Sequence, residues 1–200
     1  MQNRFIVIGI TLVIMAFPLH AQTPGSVVEF YGKSLDMNNI GMSVLGGWAL
    51  ANISIGAIGW SQQNGQQAYF HQMNLFWNTV NLSIAGFALY NNLSSEYVLL
   101  TGEELMERQF KSQRLFLING GIDVAYLATG FLLRHLAPKY PKQESRLLGY
   151  GNSVILQGSF LFVFDLVMYG IQISHRAGFL DQLSFSPMQD AWGLVASFQF

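Results

Sequence analysis

The stretch Leu115-Phe116-Leu117-Ile118-Asn119-Gly120-Gly121-Ile122-Asp123-Val124-Ala125-Tyr126-Leu127-Ala128-Thr129-Gly130-Phe131-Leu132-Leu133 decides what kind of molecule this chain is. It is apolar almost throughout, and as a helix rising 1.5 Å per residue it can cross about 30 Å of hydrocarbon. One carboxylate, Asp123, sits in its middle, and a second apolar run, Leu147 to Ser174, repeats the arrangement around Asp165. An ionisable group near a bilayer centre costs roughly 2.5 to 3.5 kcal/mol on insertion scales, so it turns toward a protein interior and finds partners there.

Two further runs, Ile40 to Trp60 and Tyr69 to Tyr90, carry no formal charge beyond what His71 could acquire. Together the runs predict an all-α, transmembrane four-helix bundle with spans 40–60, 69–90, 115–137 and 147–174. A soluble bundle would show charged outer faces on its helices, and these runs have none. Composition agrees: the 200 residues are 51% hydrophobic and 10% charged, against roughly 25% charge in soluble domains. A net charge of -1 leaves no basic footprint for nucleic acid. The absence of cysteine removes disulfides, thiolate chemistry and Cys-ligated metals together.

The flanks carry processing and topology signals. Arg4, the apolar Phe5 to Phe17 and Leu19-His20-Ala21 read as a secretory signal peptide over 1–21, cleaved before Gln22. Residues 22–39 then form a periplasmic N-terminal segment, and the mature N- and C-termini are both expected in the periplasm of a bacterial inner membrane. Arg134, Lys139, Lys142 and Arg146 fall in the loop this orientation makes cytoplasmic, as the positive-inside rule prefers. Ser61 to Ala68 reads as a polar link, and Pro138 with Pro141 as a break between the last two spans. Thr101-Gly102-Glu103-Glu104 has the spacing of a capping box, followed by Glu104/Arg108 and Glu107/Lys111 at i, i+4. Residues 175–200 are a C-terminal tail whose end, Leu194 to Phe200, alternates and closes on Phe like a barrel strand, so a short strand is expected there.

Helical phase shows where the polar groups point. His71, Asn74, Asn78 and Asn81 fall within roughly an 80° arc of the second span, continued by Ala85 and Ala88. Asn119, Asp123, Tyr126 and Gly130 share a face of the third; Gly151, Gly158, Asp165, Tyr169 and Gln172 share one of the fourth. In the first span Asn52 lies with Trp48, Gly56 and Gly59, while Ser43, Gly47 and Ala51 repeat at the four-residue spacing that lets membrane helices approach closely. From the rise per residue, Asp123 lies about 4 to 5 Å and Asp165 about 7 to 8 Å to the outer side of their spans' middles. They can meet at one depth. If they do, two like charges at short range cannot both ionise cheaply, and one shared proton is the natural state.

The candidate ligand or proton site is therefore Asp123, Asp165, Asn52, Asn74, Asn78, Asn81, Asn119, Gln157, Tyr126, Tyr169 and His71. Two readings stand side by side: a polar centre that binds or passes a proton or small polar ligand, and inter-helix glue worth on average about 0.6 kcal/mol per bond. Metal, haem and phosphate chemistry find no motif, since His71, His135 and His175 are scattered toward span ends. No cofactor and no complete catalytic motif is read. An intramembrane aspartyl hydrolase is the enzymatic alternative, but in Gly120-Gly121-Ile122-Asp123 the residue before the acid is Ile where such proteases have Gly.

The strings Phe76-Trp77-Asn78-Thr79-Val80-Asn81, Asn119-Gly120-Gly121-Ile122-Asp123-Val124-Ala125-Tyr126 and Gln157-Gly158-Ser159-Phe160-Leu161-Phe162-Val163-Phe164-Asp165 resemble an uncharacterised family of four-span bacterial membrane proteins, best represented in Bacteroidota. The resemblance covers residues from about 40 to 175 and implies a helical membrane fold with no known activity. The partners expected are the lipid bilayer, a small polar ligand or proton, and either a second copy or a larger membrane complex.

Overall fold

The structure, a computed structural model, describes residues 27–97 and 100–185. The expected signal peptide and the strand-like end of the tail lie outside the described residues. Four helices make up the fold: α1 (Val27–Gln62), α2 (Gly65–Leu93), α3 (Gly102–Leu136) and α4 (Glu144–Phe185). Two single 3-10 turns, Ala137–Lys139 and Pro141–Gln143, link α3 to α4. No strand occurs among the described residues.

Each prolyl break and polar link becomes a tight reversal. Only Gln63 and Asn64 join α1 to α2, and Gly65 enters α2 with φ at 58°, a conformation L side chains rarely adopt. The capping box forms at the start of α3: Thr101 Oγ1 accepts from the Glu104 amide at 3.3 Å, and the Glu104 carboxylate accepts from the Thr101 amide at 2.8 Å. The i, i+4 pairs predicted after it do not form within ion-pair distance. Glu104 is held by Thr101 instead.

The helices outrun the predicted spans at one end. Most of the segment assigned to the periplasm is the first three turns of α1, and α4 continues past Ser174. The cause is packing beyond the apolar runs: Phe30 stacks on His175 at 4.5 Å and on Phe179 at 4.3 Å. Tyr31 and Leu35 bury against Leu105 nearby. This end, where α1 begins and α4 finishes, is the open end; the two reversals form the hairpin end.

Neighbours run up, down, up, down. Gly151 meets Gly130 backbone to backbone, where a Cβ on Gly151 would lie 2.8 Å from the Gly130 carbonyl oxygen. Gly149 does the same for α4 on α2, with the Gln66 carbonyl 2.5 Å from where its Cβ would stand. The Ser43, Gly47 and Ala51 stripe, by contrast, is exposed and meets no other helix of the chain, because α1 buries Gly41, Met42, Leu45, Ala49, Asn52 and Gly56.

Polarity is inverted relative to a water-soluble bundle. On α2 the buried positions are Asn74, Asn78, Asn81 and Ala85, while Val80 is 59% and Phe87 70% exposed. α1, α3 and α4 are long and apolar enough to cross a membrane. α2 is 29 residues long, and its inward asparagines are what dilute its apolarity. No Asp, Glu, Lys or Arg occurs between Asp36 and Glu96. A contiguous apolar exterior around a polar interior marks a surface that meets something other than water, and the chain is a helical membrane protein.

Candidate functional site

Along one face of α4 the polar residues come at Gln157, Asp165 and Gln172, steps of about 12 and 10 Å by the rise of the helix. All three are buried. Each organises a layer of the interior, so a pair of carboxyls lies between two layers of amides.

The layer toward the hairpin end joins α1 and α2 to Gln157 of α4. Its Nε2 donates to Asn74 Oδ1 at 2.8 Å and Asn52 Oδ1 at 3.4 Å, and its Oε1 accepts from Trp48 Nε1 at 2.9 Å. Ser153 also donates to Asn74 Oδ1, at 2.8 Å, and Asn74 Nδ2 donates to Asn52 Oδ1 at 3.3 Å. Asn78 returns its amide to the Asn74 carbonyl and accepts from Asn81 at 3.4 Å. Three antiparallel or parallel neighbours are thereby stitched through Asn74, with the Trp48 ring stacked on Phe160 at 4.0 Å as a lid.

In the middle layer Asp123 and Asp165 are 3% and 5% exposed, and their carboxyls face each other closely enough to interact directly. A hydrogen bond between two such carboxyls requires that one oxygen carry a hydrogen. No amide or hydroxyl reaches the buried Oδ2 of Asp123. Met42, Leu45, Ala85, Phe116, Leu161 and Met168 form the buried apolar cluster of the bundle, and Leu161 and Met168 stand one turn to either side of Asp165 on α4. Gly120 and Gly130, one turn and two turns from Asp123, keep the α3 face thin where α4 approaches.

The layer toward the open end centres on Gln172. It accepts from Ser34 at 2.7 Å and Gln109 at 3.3 Å, donates to Asn38 at 2.8 Å, and its carbonyl accepts from Gln113 at 3.0 Å. Gln109 Oε1 is buried without a partner. Of this layer, helical phase along the sequence marks only Gln172. Gln109 and Gln113 stand in a charged stretch that reads as solvated helix, and Ser34 and Asn38 in a segment that reads as lying outside the spans. The available signal was the Gln109/Gln113 spacing of four.

Asn119 does not join the site. The buried positions of α3, Leu105, Gln109, Gln113, Phe116, Gly120, Asp123 and Gly130, centre about 25° round from Asp123 on the side away from Asn119, which leaves Asn119 exposed. Neither tyrosine hydroxyl bonds to an aspartate: Tyr126 packs edge-on against Trp77 at 4.7 Å, and Tyr169 opens onto the outside of α3 and α4. His71 lies against Gly59 near the hairpin end, its buried Nδ1 without a partner, far from the carboxyls along α2. Among the described residues no group of three or more His, Cys, Asp or Glu is placed to hold a metal ion.

No curated protein and no solved structure matches the chain. Residues 44–166 match a family of unknown function, DUF6992, a stretch that contains both aspartates and the Gln157 layer and ends short of Gln172. The chain belongs to the DUF6992 family.

Proposed function

We propose that this is a four-span protein of a bacterial cytoplasmic membrane whose Asp123–Asp165 pair holds one proton between its carboxyls and acts as a binding or relay site for a proton or small polar species. The observation that carries the reading is the contact itself: the only two formal charges in the apolar middle of α3 and α4 sit buried against each other. Carboxyls in that setting share a proton because two adjacent negative charges in low dielectric repel strongly. The exposed apolar face of α2 supports its counting as a span. Arg134, Lys139, Lys142 and Arg146 at the hairpin end favour a cytoplasmic position for that end, with both mature termini opposite.

A structural or assembly subunit is the second reading, and the closed bonding of the Gln157 layer favours it. Asn52, Asn74 and Gln157 satisfy one another and offer no free polar edge to a ligand. The hydrolase reading gains no further residue from the geometry.

Infrared difference spectra of the purified protein in mild detergent test the proposal. The wild type should show a protonated carboxyl band near neutral pH that shifts in D2O and disappears in the Asp123→Asn, Asp165→Asn double variant. Proton uptake into proteoliposomes should fall at least tenfold in either single variant. A band with no uptake in the wild type would leave the structural reading standing alone, and no band at all would remove the shared proton.

A further inference from the structure

Between α3 and α4 at the open end runs a groove of about 570 Å³ whose charged residues none of the preceding roles uses. Its α3 wall includes the stripe Glu103, Glu107, Phe110, Arg114 and Leu117, and Arg176 and Tyr169 of α4 face it. The Arg176 guanidinium lies over the Phe110 ring at 4.9 Å, which leaves the edge of its planar donor fork open. Four charged side chains line the groove, yet among the described residues the one ion pair is Lys33–Glu29. The two acids and two arginines are not spent on each other.

The order of chemistry along the groove follows the order of depth in a bilayer leaflet. Leu117 lies toward the apolar middle of the helix, the guanidiniums of Arg114 and Arg176 come next, and Glu107 and Glu103 lie further out. Glu107 stands about 10 Å beyond Arg114 by helical rise, within reach of two long side chains bending toward a common headgroup. A phospholipid presents acyl chain, phosphate and headgroup in that sequence. Arginine forks match phosphate oxygens, and basic pockets between membrane helices bind lipid headgroups. The acids outside them call for a cationic group that donates hydrogen bonds.

We propose that this groove binds a phospholipid with a primary ammonium headgroup, of the phosphatidylethanolamine type, its phosphate on Arg114 and Arg176 and its ammonium between Glu103 and Glu107. The inference rests on the membrane reading of the chain. It adds a ligand class at a site distinct from the carboxyl pair.

The test is thermal unfolding of the delipidated full chain in detergent micelles doped with phosphatidylethanolamine, phosphatidylcholine or phosphatidylglycerol, with native mass spectrometry counting retained lipid. Phosphatidylethanolamine should raise the midpoint by several degrees and stay bound at one copy. Phosphatidylcholine, whose trimethylated ammonium donates no hydrogen bond, should do neither. Arg114→Gln with Arg176→Gln should abolish the shift, and Glu103→Gln with Glu107→Gln should turn the preference toward phosphatidylglycerol. An equal response to all three lipids in the wild type, or a wild-type preference for phosphatidylglycerol, overturns the proposal without any variant having to fold. Alkaline extraction of membranes is run beside it: release of the chain into the aqueous fraction sinks the membrane reading, whereas retention with no lipid selectivity sinks the groove alone.

Discussion

Asp123 of α3 and Asp165 of α4 meet carboxyl to carboxyl from helices that run antiparallel, each the sole carboxylate of its apolar run. An asparagine in either place can donate to the carboxyl that remains, so Asp165→Asn should unfold within about 1 kcal/mol of the wild type. Asp165→Ala leaves a buried acceptor alone and should cost about 1 to 3 kcal/mol. Chemical unfolding in detergent distinguishes them, and equal losses would mean that the two carboxyls do not bond to each other.

Gln157→Leu removes the amide that joins Trp48, Asn52 and Asn74, three bonds in all. At about 0.6 kcal/mol for an average bond between membrane helices, the loss should be roughly 2 kcal/mol. A cycle with Asn74→Ala should show clear coupling, because Gln157 and Asn74 lose the same contact. Additive losses would show that the layer is not one network.

Val80 stands near the middle of α2 on its exposed face. In water Val80→Asp would be close to neutral, since the surface position loses little packing. Within hydrocarbon it costs about 2.5 to 3.5 kcal/mol of insertion. A glycosylation-mapping insertion assay should show α2 failing to span in this variant and spanning in the parent, and unchanged insertion would remove α2 from the spans.

At the start of α3, hydrogen bonds from the Thr101 amide and hydroxyl hold the Glu104 carboxyl below its ordinary range. A carboxyl depressed in the folded state contributes stability above its unfolded value, and that contribution is lost as pH falls through the folded one. Amide exchange over residues 102–105, corrected for intrinsic rates, should therefore speed up below about pH 4, the ordinary glutamate range. Thr101→Ala should exchange fast at every pH in the series. A wild-type profile flat down to acid would mean the cap does not hold in solution.

Much of this was legible along the chain. Apolar run lengths located four helices, Thr101 and Glu104 marked the start of α3, and the spacing of Asn74, Asn78 and Asn81 oriented α2, because local spacing alone decides which residues share a helix face. Finer rotation was not legible. Asn119 and Asp123 differ by only about 40° on a helix, yet the centre of the α3 interface falls on the far side of Asp123, so one is buried and the other is not. The small stripe of Ser43, Gly47 and Ala51 meets no other helix of the chain: small residues permit close approach, and a neighbouring helix has to use it. Gly130 and Gly151 are the pair that do.

Run length, composition and helical repeat suffice to make the chain helical and apolar outside, to gather its charges at helix ends, and to require that two carboxyls be buried. Those are properties of single helices, set by composition and a 3.6-residue repeat. Tertiary structure alone decided that Asp123 and Asp165 share one layer, that Gln109 and Gln113 reach Gln172 beyond the apolar runs, and that two acids and two arginines line one groove. Each depends on the offset and rotation of one helix against another, which backbone contacts such as Gly130 on Gly151 and Gly149 on Gln66 set, and no spacing within a single helix encodes them.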